Sequence, residues 1–157
     1  MLRVSIVLAA AFAAGSAVAA PGDPSPPRLK EVTNQAIRAW GEAHIQQEDW
    51  LVVGNANGNL WLVSALPNSD EVSYPLARDW IRAEVAIDGG LSRSTVSHIE
   101  VDCEKRRDRT LETYYFDQNN LRGPSVTGPA ATDKWVDATP GSIRETYIDS
   151  ICRGARR

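Results

Sequence analysis

The sequence is poor in the residues from which most metal sites and catalytic sites are built. Its 157 residues include two cysteines and two histidines, and the histidines, His44 and His98, lie far apart. Neither a Cys-x-x-Cys nor a closely spaced His pair occurs, and Gly-x-Ser-x-Gly, His-Glu-x-x-His and glycine-rich phosphate loops are absent. We therefore predict no metal site, no cofactor and no catalytic residues.

Long hydrophobic runs are absent after the first twenty residues, and a membrane-spanning helix needs about 20 apolar residues. The one apolar run, VSIVLAAAFAAGS, follows a short positive start and precedes the small-residue cleavage pattern Ala17-Val18-Ala19. This arrangement is typical of a secretory signal peptide, here residues 1–19; an uncleaved membrane helix is the alternative. We expect an exported product that is periplasmic or secreted.

Neither sign of charge dominates the chain. Seventeen basic and 20 acidic residues give a formal net charge of −3, and loss of Arg3 with the leader makes it more negative. A protein-wide positive field is excluded, so we predict no nucleic-acid partner.

The rest of the chain predicts one domain behind a short spacer. Residues 20–28 are rich in proline and favour an extended spacer. Residues 29–157 suffice for a single domain, with its core expected over 50–152.

The apolar periodicity predicts an α+β fold, with an antiparallel sheet of about five or six strands and a helix near each end. The N-terminal helix is predicted from helical spacing of Leu29, Val32, Ala36, Trp40 and Ala43. From Trp50 onward the period changes to two, and Asn57-Gly58 predicts a hairpin turn between the first two strands. Three further strands follow, with one more near Val126.

Alternation assigns the residues of the two central strands to opposite faces. The apolar set is Ile81, Ala83, Val85, Ile87, Ile99, Val101 and Cys103, and the polar set is Arg82, Glu84, Asp88, His98, Glu100 and Asp102. His98 is expected to be exposed, and Asp102 to pair with a nearby arginine. Trp80 shares the polar parity, which leaves open whether it is exposed or covered.

The last helix begins at Ser142, which has Glu145 at capping-box spacing. Its apolar face is formed by Ile143, Tyr147, Ile148 and Ile151. This face is expected to pack on the sheet, as in α+β folds.

Two cysteines in an exported chain favour a Cys103–Cys152 disulfide, with a free reactive thiol as the alternative. Both are predicted to face the interface between the sheet and the last helix. The charged residues after Cys103 favour a solvated turn; the alternative is a protein-binding patch of Lys105, Arg106, Arg107 and Arg109.

The stretches HIEVDCEKRRDRTLETYY and KWVDATPGSIRETYIDSIC resemble the surface-adhesin protein E family of bacterial exported proteins. The matching positions are Asp102, Cys103, Arg106, Arg109, Tyr115, Trp135, Pro140, Gly141, Ser142, Glu145 and Cys152. The resemblance extends over Trp50–Cys152. It implies a small antiparallel sheet crossed by a helix, with the two cysteines paired.

The resemblance also implies adhesion, because the family's named member is a surface lipoprotein that binds host extracellular-matrix proteins and plasminogen. A lipid anchor needs a cysteine directly after the leader, whereas the first cysteine here is Cys103. We therefore expect a soluble, non-enzymatic binding or envelope module with a protein partner from the envelope or host matrix. The alternatives are a small periplasmic enzyme whose site is assembled only in the fold, and an inhibitor or chaperone that offers a sheet edge.

Overall fold

A computed structural model describes residues 25–66, 73–88, 91–128 and 134–155. Its helices are α1 (Asn34–His44) and α2 (Ile143–Ala155). The strands are β1 (Trp50–Ala56), β2 (Asn59–Ser64), β3 (Leu76–Val85), β4 (Ser94–Asp102), β5 (Arg107–Gln118), β6 (Arg122–Thr127) and β7 (Val136–Asp137). The predicted α+β fold is confirmed, and the two-residue strand β7 is the one that the periodicity did not indicate.

The strands form one antiparallel sheet in the order β1-β2-β3-β4-β5-β6, and β7 pairs with β5. The predicted β1–β2 hairpin is confirmed. Asn57 and Gly58 have φ values of 53° and 77°, the left-handed region that a two-residue hairpin turn requires.

Helix α2 covers one face of the sheet. Its buried residues Tyr147, Ile148 and Ile151 pack on a core cluster that includes Val63, Ala77, Ile81, Ile99 and Val101. The predicted cap is present, because the backbone N–H of Glu145 donates to Ser142 Oγ at 3.2 Å. This face of α2 is the one that the sequence predicted.

A disulfide joins α2 to the end of β4. Cys103 and Cys152 are bonded, with their Cα atoms 5.7 Å apart, which confirms the predicted pairing. A second link lies near the start of the helix, where the buried carboxylate of Asp108 accepts from Tyr147 Oη at 3.2 Å and lies 2.8 Å from Arg144 Nε. The helix is therefore held to β4 and β5 at both of its ends.

Helix α1 packs on the opposite face, over the β1–β2 side of the sheet. Its buried residues Ile37, Trp40 and Gly41 contact a second core cluster that contains Leu60 and Leu62. A Cβ on Gly41 would lie 2.6 Å from Leu60 Cδ2, so the helix approaches the sheet closely at this glycine.

The predicted face of α1 was wrong in part. The helix begins at Asn34, because Thr33 is the N-cap and accepts from the backbone N–H of Ala36 at 3.1 Å. Val32 therefore precedes the helix and is 53% exposed, while Ile37 supplies the buried position that the predicted stripe omitted.

Residues 25–29 lie along the domain as an extended segment. Leu29 N donates to Ala86 O at 2.7 Å, Trp40 Nε1 donates to Pro27 O at 2.9 Å, and Arg93 Nη2 donates to Pro26 O at 2.5 Å. The predicted leader and the first part of the predicted spacer lie outside the described residues, so the domain division stays a prediction.

Within the described ranges, neither α1 nor α2 has the length and apolar character of a membrane-spanning helix.

Candidate binding face

The basic residues that the sequence grouped as one patch are divided between the two faces of the sheet. Arg106 is a turn residue with φ of 52°, and its guanidinium lies 3.0 Å from Glu145 and 2.8 Å from Asp149 on α2. Lys105 is exposed in the same turn, where its backbone N–H donates to Asp102 at 3.0 Å. Lys105 and Arg106 thus lie in a solvent-exposed turn, as the sequence favoured, and a binding role for them stays a prediction.

Arg107 and Arg109 point to the face opposite α2. Arg107 lies 3.2 Å from Asp102 and Arg109 lies 2.6 Å from Glu100, so the expected pairing of Asp102 with an arginine is confirmed. Both guanidinium groups also stack on Trp135, at 4.7 and 5.0 Å from its ring centre. The tryptophan ring therefore holds two arginines in fixed positions.

Strand β3 extends this arrangement across the sheet. Arg78 lies 3.0 Å from the Glu100 Oε1 atom, so one carboxylate holds arginines from β3 and β5 on its two oxygens. The pairing follows from the register, in which Glu100 stands opposite Arg78 on one side and Arg109 on the other.

Aromatic side chains occupy the next position of the same face. Trp80 and His98 are cross-strand partners whose rings stack at 4.6 Å, and Tyr114 lies 6.5 Å from Trp80. The expectation that His98 is exposed was wrong, because its side chain is 18% exposed beneath this stack and lies 3.7 Å from Glu112. Trp80 is half-buried and belongs to neither core cluster.

These side chains lie on the same face of the sheet, and we call them together the aromatic-arginine face. Its members are Arg78, Trp80, His98, Arg107, Arg109, Tyr114 and Trp135.

The carboxylates of this face lie beneath its arginines. The side chains of Glu100 and Asp102 are 3% and 8% exposed, whereas Arg78, Arg107 and Arg109 are 27–29% exposed. Burial alone raises the pKa of Asp102, but hydrogen bonds from Lys105 N–H and Arg107 outweigh it and lower that pKa. The face therefore presents guanidinium groups and aromatic rings over two buried side-chain carboxyl groups.

A buried ion pair supports the same face beside α1. Arg82 and Glu84 are 3% and 0% exposed and approach to 2.5 Å. The Glu84 carboxylate also accepts from Asn119 Nδ2 at 2.7 Å and from Asn120 N at 3.1 Å, which binds the β5–β6 turn to β3. Burial raises the pKa of Glu84, against the effect of Arg82.

Sequence reasoning missed two parts of this site, the buried Arg82–Glu84 pair and the contribution of Trp135. Alternation placed Arg82 and Glu84 on the polar face, and that parity is correct. No local pattern predicts their burial, because Arg82 is covered by Gln46 and Trp50 and Glu84 by the Asn119-Asn120 turn, all of which come from other parts of the chain.

Comparison with known proteins agrees with this architecture. The surface-adhesin protein E family matches residues 62–153, and the chain belongs to that family. A search of curated proteins found no match.

Solved structures of Haemophilus influenzae protein E share the fold. One is 11% identical, covers 86% of this chain and 97% of the other, and superposes with a TM-score of 0.57. Crystal form II of the same protein is 12% identical, covers 71% and 93% of the two chains, and gives a TM-score of 0.55. At these identities the likeness concerns the fold alone.

Proposed function

We propose that this chain is an exported, non-enzymatic module that binds a protein of the cell envelope or of the host extracellular matrix. The observation that carries the proposal is the aromatic-arginine face. Membership in a family of surface adhesins supports a binding role, and the disulfide suits an oxidising compartment outside the cytoplasm.

The composition of the face matches that of protein-binding hot spots. Tryptophan, tyrosine and arginine dominate such sites because they bury a large area and lose little side-chain entropy when they are already fixed. Here Trp135 fixes Arg107 and Arg109, and Trp80 is fixed by stacking on His98. A partner would therefore meet a surface that is already ordered.

The charge arrangement favours a protein partner over nucleic acid. The arginines of the face share the carboxylates of Glu100 and Asp102, so their field is largely cancelled within a few ångströms. Binding to a phosphate backbone depends instead on uncompensated positive charge.

A catalytic site would need groups that converge in a cavity. The cavity between the end of α2 and strands β1 to β3 has Asp79 as its single lining carboxylate and contains no histidine, and a second cavity beside the disulfide has Asp149 as its single lining carboxylate. Neither lining therefore contains a general acid and base pair.

The test is capture of partners from envelope extract and from host matrix, followed by affinity measurements on variants. Trp80→Ala and Arg107→Ala should each weaken binding of the captured protein about tenfold or more, as truncation of a hot-spot residue does. Arg38→Ala, at an exposed position on α1, is the matched control and should bind as the unaltered chain does. Circular dichroism establishes that each variant is folded.

Two results would contradict the proposal. One is unchanged affinity in both Trp80→Ala and Arg107→Ala while a substitution elsewhere abolishes binding. The other is the absence of any captured protein together with turnover in a screen of hydrolase substrates.

A further inference from the structure

A cavity of about 520 Å³ lies between the last turns of α2 and strands β1 to β3, on the face opposite the aromatic-arginine face. Its apolar lining includes Leu51, Val63 and Ile151, and its charged side chains are Asp79 and Arg153. The volume falls in the range of small-molecule sites, which are typically about 300–1,000 Å³.

Asp79 is the unusual residue in this lining. It is 6% exposed. Among the residues that the structure describes, its Oδ1 atom accepts a hydrogen bond from the backbone N–H of the neighbouring Trp80 at 2.7 Å. Burial raises its pKa to about 6, and that backbone hydrogen bond lowers it only in part. A buried carboxylate without a cation is unfavourable, because ionised groups lose their hydration on burial.

The other buried carboxylates of the described chain differ from Asp79 in one respect. Each of them pairs with an arginine: Glu84 with Arg82, Glu100 with Arg78 and Arg109, Asp102 with Arg107, and Asp108 with Arg144. Asp79 has no ion pair among the described residues, although it lines a cavity. Arg153 lies at the same cavity but is exposed and makes no described contact with Asp79.

We propose that this cavity binds an ammonium group carried on a short apolar stem, with Asp79 as its counter-ion. The stem packs against Leu51, Val63 and Ile151, and the ammonium group donates to the carboxylate as the arginines do at the other buried acids. Two sources supply this chemistry, a free alkylamine and a lysine side chain of a protein.

The chain's own segments differ in whether they could supply such a cation. Residues 67–72, which follow the Ser64 and Ala65 lining, contain no basic residue, whereas Arg156 and Arg157 follow α2. Arg156 and Arg157 are therefore the basic residues of the chain whose removal distinguishes an external cation from an internal one.

The experiment titrates n-hexylammonium and, separately, a blocked Leu-Lys dipeptide into the full-length mature chain at pH 7.5, with binding followed by calorimetry and NMR. Asp79→Asn keeps the shape of the side chain and an oxygen for the Trp80 N–H but removes the charge. We expect it to weaken binding of both probes at least tenfold, whereas Asp49→Asn, at an exposed carboxylate, should have no effect. The tighter of the two probes identifies the source of the ammonium group.

Neutral and pH controls separate a charged site from apolar partition. n-Hexanol should bind at least tenfold more weakly than n-hexylammonium. For the amine, affinity should fall about tenfold between pH 7.5 and pH 5, because about nine-tenths of Asp79 is protonated at pH 5 when its pKa is about 6. The other lining side chains from β1, β2 and α2 carry no charge except Arg153, so Asp79 is the acid to which this change is assigned.

Three outcomes would overturn the proposal. They are equal binding of hexanol and hexylammonium, unchanged binding in Asp79→Asn, and binding that appears only after removal of Arg156 and Arg157. Arg107→Ala, on the opposite face of the sheet and outside the cavity lining, should weaken protein binding but leave amine binding intact, so this test fails or succeeds independently of the proposed protein-binding function.

Discussion

Asp79 is also expected to contribute to the pH dependence of the stability of the unliganded protein. Its pKa is raised by burial from 3.8 to about 6, so the folded state disfavours the ionised carboxylate. Above pH 6 the cost of burying the ionised Asp79 carboxylate lowers the free energy of unfolding in full. This cost shrinks as pH falls from 6 to 4, because Asp79 takes up its proton in the folded state before it does so in the unfolded state. Below about pH 4 Asp79 is protonated in both states and the cost disappears.

Asp79→Asn should therefore raise the free energy of unfolding by about 2–3 kcal/mol at pH 8 and leave it nearly unchanged at pH 3.5. Urea unfolding of both proteins at the two pH values measures the difference. The exposed Asp49→Asn serves as control. An equal gain at both pH values would show that packing, rather than ionisation, is responsible.

Single residues also show the limit of sequence reasoning. Alternation assigned Arg82 and Glu84 to the polar face correctly, because side-chain direction is local to a strand. Their burial could not be predicted in this way, since Arg82 is covered by Gln46 and Trp50, and Glu84 by Asn119 and Asn120, which reach the pair only through the fold. The same applies to Trp135, whose contact with Arg107 and Arg109 requires β7 to pair with β5.

At the scale of elements, the strands and α2 were predictable and the buried face of α1 was not. The central strands β3 and β4 alternate in sequence and β1 and β2 meet at the hairpin turn Asn57-Gly58, whereas the two-residue strand β7 has no such signal. Helix α2 has both a cap and a clear apolar stripe. In α1 the apolar residues Leu29 and Val32 precede the N-cap Thr33, so the helical spacing extended beyond the true helix.

The disulfide should act mainly on α2. It closes a loop of 49 residues in sequence separation, and the chain-entropy estimate for such a loop is about 4 kcal/mol. The Cys103→Ser/Cys152→Ser double variant should lose a few kcal/mol of stability, with faster amide exchange concentrated in residues 143–155. The Arg144 and Tyr147 contacts with Asp108 should keep the first turn of the helix more protected than the last.

Hydrogen exchange monitored by mass spectrometry measures this gradient, with reduction of the unaltered protein as an independent comparison. Binding of the protein partner should persist in the double variant under conditions where it is folded, because the aromatic-arginine face lies on the other side of the sheet. Uniform loss of protection throughout the sheet would contradict a local role for the bond.

For the whole molecule, the two helices make the sheet a central layer with a different cover on each face. All but the last two residues of helix α2 lie within the family match over residues 62–153, whereas α1 and β1 lie before it. The second core nevertheless depends on α1, because Ile37, Trp40 and Ile45 are 2–6% exposed against Leu60 and Leu62. The folded unit thus extends beyond the matched segment.

A variant that lacks residues 25–47 should therefore keep the disulfide but melt at a temperature lower by roughly 10 °C or more, since loss of a single buried Ile or Trp costs about 2–5 kcal/mol. It should also bind a hydrophobic dye, because Leu60 and Leu62 lose their cover. In addition, Arg82 loses the Gln46 carbonyl that accepts from its Nη1 at 3.0 Å.

Ile37→Ala should lower the melting temperature by a smaller amount. Arg38→Ala, at the next and exposed position of the helix, should leave the melting temperature unchanged. Calorimetry and dye fluorescence measure these effects. If the shortened chain melted as the intact one does and bound no dye, α1 would be dispensable and the chain from β1 to α2 would form the complete folding unit.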